Sequence, residues 1–201
     1  MNSREQIIKL LKARQTNKTP LPELKTTPLA DADLVEKFKF EFERAGGILI
    51  KASFDEIFDA LSKIITMENL RKIYAENFDD EINSIIKNLQ IDEIITQPHS
   101  HRQISLVDAS ITSCDFLIAE TGTIVFIHRD EKFKSSVLLP RVHIIIARNE
   151  QIVGTLGEVF SLIGKNFDSI FLITGPSRTA DIEKVIVRGV HGPQKVYLIL
   201  V

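Results

Sequence analysis

Ser177, Arg178 and Thr179 stand together in ITGPSRTADIEKVIVRGVHGPQKVYLILV, residues 173–201, in a narrow polar gap between two apolar runs. The pattern reads as a buried strand FLIT, a turn GPSRT, a short helix over Asp181–Arg188 and a final strand. Two hydroxyls and a guanidinium at the carboxyl end of a strand, beside the free N–H groups of a helix start, suit an anion. The same residue types also have a structural use: Thr179 or Asp181 caps the helix and Arg178 is a solvated charge. His191, between Val190 and Gly192, reads as a turn residue bonding backbone unless a partner makes it a general base.

A second cluster lies in DASITSCDFLIAETGTIVFIHRD, residues 108–130. Glu120 follows an apolar run and precedes Thr121, Gly122 and Thr123, so a carboxylate sits where a strand ends and a glycine admits a close neighbour. Such a group could act as base, nucleophile or anchor for a hydroxyl, or simply accept bonds from N–H groups of a hairpin. Asp108 and Asp115 bracket this region and are candidate partners for Arg129 or Arg178. If both clusters follow strands of one open α/β sheet, Glu120, Ser177, Arg178 and Thr179 converge on one concave site.

Other chemistry is less well supplied. The chain has 201 residues, one cysteine and five histidines. Cys114 alone can form neither an internal disulfide nor a four-cysteine cluster. His99 and His101 are close, but no third ligand accompanies them, and His128 and His143 stand apart; no metal site is expected. A net charge of −2 and the lack of a basic stripe with interleaved aromatics argue against nucleic acid. No apolar run approaches the roughly 20 residues of a membrane span, and the first residues lack the apolar core of a secretory signal, so a cytoplasmic protein is expected.

The elements that must position these residues follow from periodicity. Ser3 to about Arg14 carries Ile7, Ile8, Leu10 and Leu11 on one side of a short helix. Three prolines and four threonines within Thr16–Pro28 make an extended arm, so residues 1–30 read as an arm and 31–201 as the body. Leu34, Phe38, Phe42 and Ala45 repeat as a helix that Gly46-Gly47 stops before the strand ILIKA. Ser53 and Glu56 form a capping box for a helix through Ile57, Leu61 and Ile64. Further helices are expected over Asp79–Leu89 and Ile152–Ile163. Strands are expected at Asp115–Ala119, Thr123–His128, His143–Ala147, Ser169–Thr174 and Lys195–Val201, the first two joined as a hairpin. The alternation predicts an α/β, Rossmann-like layered fold with a largely parallel central sheet, a β-hairpin element and an N-terminal helical arm.

The segments AETGT (119–123), LLPRVHIII (138–146), GPSRTADIE (175–183) and GVHGP (189–193) occur in this order. Together they resemble the lactate utilization protein C family, the LUD domain proteins, over about residues 31–201. The resemblance implies a fold similar to that of sugar isomerases, CoA transferases and formyltetrahydrofolate cyclo-ligases. It also implies a place in a three-protein system oxidising L-lactate to pyruvate, with iron-sulfur clusters on the partner proteins and none held by this chain alone. The positions matching the family motifs are Glu120, Thr121, Gly122 and Thr123; Gly175, Pro176, Ser177, Arg178, Thr179, Asp181 and Glu183; and His191 and Gly192. No catalytic residue comes with them. In the related CoA transferases a glutamate before a glycine is the nucleophile; Glu120 is similarly placed, with Thr121 intervening. The alternatives are a free-standing acyl or phosphate-group enzyme, or a non-catalytic scaffold for iron-sulfur partners. Self-association into a homo-oligomer stays open.

Overall fold

The structure, a computed structural model, describes residues 3–14, 33–98, 100–128, 131–164, 169–179, 187–188 and 192–201. Helix α1 is Ser3–Arg14, with Ile7, Ile8, Leu10 and Leu11 all exposed. Helix α2 is Leu34–Arg44. Asp33 caps it by accepting from the Val35 and Glu36 amides, and its buried face is Phe38 and Phe42, stacked at 5.5 Å. The helix ends as Gly46-Gly47 require: Gly46 has φ +93, its N–H donates to Glu43 and that of Gly47 to Phe42, the double bond pattern of a Schellman stop.

Strand β1 (Ile48–Lys51) leads through a 3-10 turn at Phe54–Glu56, held by Glu56 accepting from the Ser53 amide, into α3 (Ile57–Met67). Then come β2 (Lys72–Ala75), α4 (Asp80–Lys87), β3 (Glu93–Ile95), the short α5 (His101–Ile104) and β4 (Ala109–Thr112). The hairpin β5 (Phe116–Ile118) and β6 (Thr123–His128) precedes α6 (Glu131–Leu138) and β7 (Val142–Ala147). The remainder is β8 (Ile152–Val153), α7 (Leu156–Ile163), β9 (Ser169–Ile173), β10 (Arg178–Thr179), β11 (Val187–Arg188) and β12 (Lys195–Leu200).

Six strands form one parallel sheet in the order β1-β12-β7-β4-β2-β3. Parallel strands are buried on both faces, which is why VHIIIA and KVYLIL are almost unbroken apolar runs. One face carries Ile73, Ile111, Ile144 and Ile199 against Ile57, Leu61 and Ile64 of α3 and Ile82 and Ile86 of α4. The other carries Ile145, Leu198 and Leu200 against Phe38 and Phe42 of α2 and Leu117, Ile124 and Phe126 of the hairpin. That hairpin belongs to a second sheet of order β8-β5-β6-β9, antiparallel at β5-β6 and β6-β9 and parallel at β5-β8. Its outer face, Ile118 and Val125, packs on Val159 of α7. The layered α/β fold and the hairpin are as the periodicity predicts.

Two predicted helices change. Ile152-Val153 is a strand paired with Leu117-Ile118, and the helix starts only at Leu156. Thr155 caps it from the Glu158 amide while Glu158 accepts from the Gly154 amide. The turn at GPSRT and the helix end at Arg188 are also overturned: Arg178-Thr179 is a strand paired antiparallel with Val187-Arg188. The rest of that predicted helix, residues 181–186, lies outside the described residues.

Candidate functional site

The ETGT turn is seated on α2. Gly122 has φ +63, and a Cβ built there would lie 2.2 Å from the Phe42 nitrogen and 2.5 Å from the Glu41 carbonyl carbon. Only glycine accommodates both that backbone conformation and that approach. The Gly122 amide closes the turn onto Ile118, and the Ala119 and Glu120 amides bond to the Val153 and Gly154 carbonyls. Glu120 itself is exposed. Antiparallel pairing of Ile124 with Ile173 then sets Thr123 beside Thr174, just before Gly175.

Three hydroxyls consequently line up. Thr121 Oγ1 is 2.7 Å from Thr123 Oγ1, which is 2.6 Å from Thr174 Oγ1. Thr123 is buried, while Thr121 and Thr174 are exposed. Three hydroxyls have three protons; two are consumed inside this chain of bonds, leaving one O–H and spare lone pairs for a ligand.

The GPSR segment reaches the same end of α2. Gly175, with φ +84, approaches so closely that a Cβ would lie 2.8 Å from the Ala45 oxygen, and a Cβ on Gly46 would lie 2.2 Å from Arg178 Nη2. The guanidinium thus lies against the carbonyl end of α2, whose partial negative charge favours a cation. Ser177 donates its amide to the Pro193 carbonyl, and its Cβ would be 3.2 Å from a Cβ on Gly192. The turn at Gly122, the strand end at Thr174-Gly175, the GPSR segment and Gly192-Pro193 therefore meet around one helix end.

Of the expected residues, Glu120, Thr121, Gly122, Thr123, Gly175, Ser177 and Arg178 gather here. Thr179 is placed by its backbone in β10, its side chain lying outside the described residues, as do Asp181, Glu183, Gly189 and His191 entirely. Among the described residues, the helix end beside Arg178 is the carboxyl end of α2 rather than an amino end. Hydroxyls and the guanidinium are thus the donors this corner offers. Asp108 accepts from the Arg71 and Lys72 amides and Asp115 from the Ile127 amide; Arg129, their other expected partner, lies outside the described residues.

His143 is fully buried between the sheets, 2.8 Å from Thr112 Oγ1, and burial pulls its pKa down to about 3. Cys114 is buried as well, and desolvation, aided by the Asp115 and Glu76 charges, pushes its thiol far above the usual thiol range. A lone, buried, protonated thiol does not fit an iron-sulfur cluster. Among the described residues, no group of three or more His, Cys, Asp or Glu side chains is placed to hold a metal.

A separate concavity lies at the carboxyl edge of the parallel sheet. It encloses about 710 Å³ and is lined by Asn77 and Asp79 after β2, Ser113 after β4 and Arg148 after β7. Arg148 Nη2 lies 3.4 Å from Asp79 Oδ2, and Asp79 Oδ1 caps α4 through the Ile82 amide. Glu76 accepts from both the amide and hydroxyl of Ser113, tying the β2 and β4 loops together. The sequence carries little trace of this cleft because β2 and β4 are four-residue strands, KIYA and ASIT, with too few apolar positions to show a period. The capping pattern of Asp79 before INSII was the available signal.

Comparison with known proteins places this geometry. A family model described as LUD domain matches residues 4–201. Lactate utilization protein C of Deinococcus radiodurans is 30% identical over 179 residues, covering 87% of this chain and 82% of that relative. The protein of the same name from Macrococcus caseolyticus is 30% identical over 193 residues, 90% of this chain and 83% of the relative. That from Bacillus subtilis is 37% identical over 101 residues, 47% of this chain and 42% of the relative. The crystal structure of a DUF162 family protein from Deinococcus radiodurans superimposes with a TM-score of 0.64 at 24% identity, covering 86% of this chain and 99% of that one, which shows the shared fold.

Proposed function

The chain belongs to the LUD domain family, and from that membership we propose that it is a component of a cytoplasmic system that oxidises L-lactate to pyruvate. Two electrons and two protons leave lactate in that reaction, and the electrons pass to iron-sulfur clusters on two partner proteins. This chain supplies an anion-binding corner instead of a cluster, consistent with its single buried cysteine. The relatives' name supports the substrate class. The corner is built from Thr121, Thr123, Thr174, Ser177 and Arg178, with Glu120 at its rim.

The observation that carries this reading is the 2.6 Å contact between Thr123 and Thr174 Oγ1, which joins the two motifs on one side of the α2 carboxyl end, where the Arg178 guanidinium lies against Gly46. A hydroxy-acid offers what such a patch recognises: a carboxylate for the planar guanidinium fork and a hydroxyl for the free end of the threonine chain. The group-transfer reading, with Glu120 as nucleophile, is disfavoured because Glu120 is exposed on a hairpin turn and does not line the large cleft.

The test has two arms. Affinity purification of the tagged chain from its native lysate should bring down iron-sulfur proteins with their cluster absorbance. The isolated chain, titrated with L-lactate and with pyruvate, should bind at least one. A chain that purifies alone and binds neither acid would remove the basis for the proposal.

A further inference from the structure

We propose that the cleft at the carboxyl edge of the parallel sheet is a second binding site, separate from the threonine-arginine corner, for a mononucleotide-sized ligand: a planar heteroaromatic ring carrying an anionic group.

The first support is topological. From β2 the chain steps outward to β3, whereas from β4 it steps the other way, to β7 and then β12. The loops after the adjacent strands β2 and β4 therefore diverge, and open α/β sheets take ligands at such a reversal, outside the carboxyl ends of the strands. The cleft lies there, with Asn77 from the first loop and Ser113 from the second on its wall. The Glu76 carboxylate, bonded to the Ser113 amide at 2.8 Å and its hydroxyl at 2.9 Å, holds the two loops in place before any ligand arrives.

The second support is chemical. Buried Ile57, Ile82 and Ile146 give the cleft an apolar floor, and the half-buried rings of Phe54 and Phe78 also line it. An apolar, ring-lined wall favours a flat aromatic group, which gains both buried area and ring contacts. Charge restricts the orientation. Arg148 is the cation of the lining; Asp79, beside it, and Glu150 are carboxylates, so an anion is attracted only on the side of the guanidinium turned away from them. Arg148 spends one marginal contact of 3.4 Å on Asp79, and its remaining N–H donors can take a phosphate or carboxylate bidentately. An anion is thus directed to the Arg148 end and the ring to the phenylalanines.

Size separates this site from the corner. A volume of about 710 Å³ falls in the range of about 300–1,000 Å³ typical of pockets for drug-sized ligands and far exceeds a three-carbon acid.

The experiment titrates the full chain with adenosine monophosphate, flavin mononucleotide and inorganic phosphate, following heat and melting temperature. At least one mononucleotide should bind and raise the melting temperature, and phosphate alone should bind far more weakly; which of the two binds identifies the ring. Arg148→Ala, and Asn77→Trp to obstruct the rim, should each weaken that binding by about tenfold or more. Neither should lower the melting temperature of the free chain appreciably, since both side chains are exposed. Arg178→Ala should leave mononucleotide binding unchanged, which keeps this test independent of the lactate reading. Failure of both mononucleotides to bind, or binding that survives both cleft substitutions, overturns the proposal.

Discussion

Thr123 and Thr174 belong to motifs fifty-one residues apart, yet their hydroxyl oxygens lie 2.6 Å from each other at the edge of the second sheet. Pairing of β6 with β9 makes the contact obligatory, because Ile124 opposite Ile173 leaves no other register for the preceding pair. Thr123→Val removes the middle hydroxyl and both bonds. Thr121 and Thr174 are exposed and regain water, so the stability loss should be only about 1 kcal/mol, the usual worth of a hydrogen bond. Binding of a hydroxy-acid should fall together with it. Urea denaturation and ligand titration on the same sample check both; a large stability loss with unchanged binding would make the threonines purely structural.

Gly122 and Gly164 offer a controlled pair. Both have positive φ, +63 and +64, but a Cβ on Gly122 meets the backbone of α2 whereas one on Gly164 meets nothing within 4 Å. Gly164→Ala should cost about 1–3 kcal/mol for its φ 64, ψ −138 backbone alone, which residues with a Cβ rarely adopt. Gly122→Ala should add about 1–3 kcal/mol of overpacking and shift the ETGT turn off α2. Equal melting temperatures for the two variants would mean that the turn is not seated as described.

Acid should destabilise the fold in two windows. His143 has its pKa lowered from 6.5 to about 3 by burial. Between those values the unfolded chain holds a proton that the folded one does not. Stability is therefore complete above 6.5 and falls by about 1.4 kcal/mol per pH unit below it. Glu68 enters lower. Burial alone would raise its pKa, but hydrogen bonds from Lys195 and Tyr197 and the charges of Lys195 and Arg141 outweigh this and bring it below 4.5. Its contribution is present above 4.5 and lost as pH falls through the lowered value. Melting temperature against pH should lose the upper window in His143→Gln and the lower one in Glu68→Gln. A profile unchanged in His143→Gln would contradict the first assignment.

Legibility in the sequence tracked apolar length. Thr123–His128 and Lys195–Leu200 are readable because they hold the unbroken apolar runs IVFI and VYLIL, and Gly46-Gly47 announces the end of α2. Three of the six parallel strands escaped because KIYA, EII and ASIT are three or four residues long and buried by their neighbours rather than by their own pattern. With them went the strand reversal and the cleft bounded by Asp79 and Arg148. Arg178-Thr179 reads as a turn leading into a helix because small polar residues serve both caps and turns; its pairing with Val187-Arg188 is a contact between segments that local spacing does not carry. The meeting of the ETGT and GPSR segments was legible only as an inference from sheet geometry, and it is the second sheet, not the parallel one, that brings them together.

The proposed function requires Arg178 to serve a ligand rather than the fold. Isothermal titration of L-lactate and pyruvate into the native chain, Arg178→Ala and Arg178→Lys, with melting temperatures measured alongside, tests this directly. Arg178→Ala should lose about 1.5–3 kcal/mol of binding free energy, the range for bonds to a charged group, with the melting temperature nearly unchanged because the side chain is exposed. Arg178→Lys should regain only part, since an ammonium lacks the planar fork. A melting temperature that collapses in Arg178→Ala while affinity stays the same, or a native chain that binds neither acid, would contradict the proposed function.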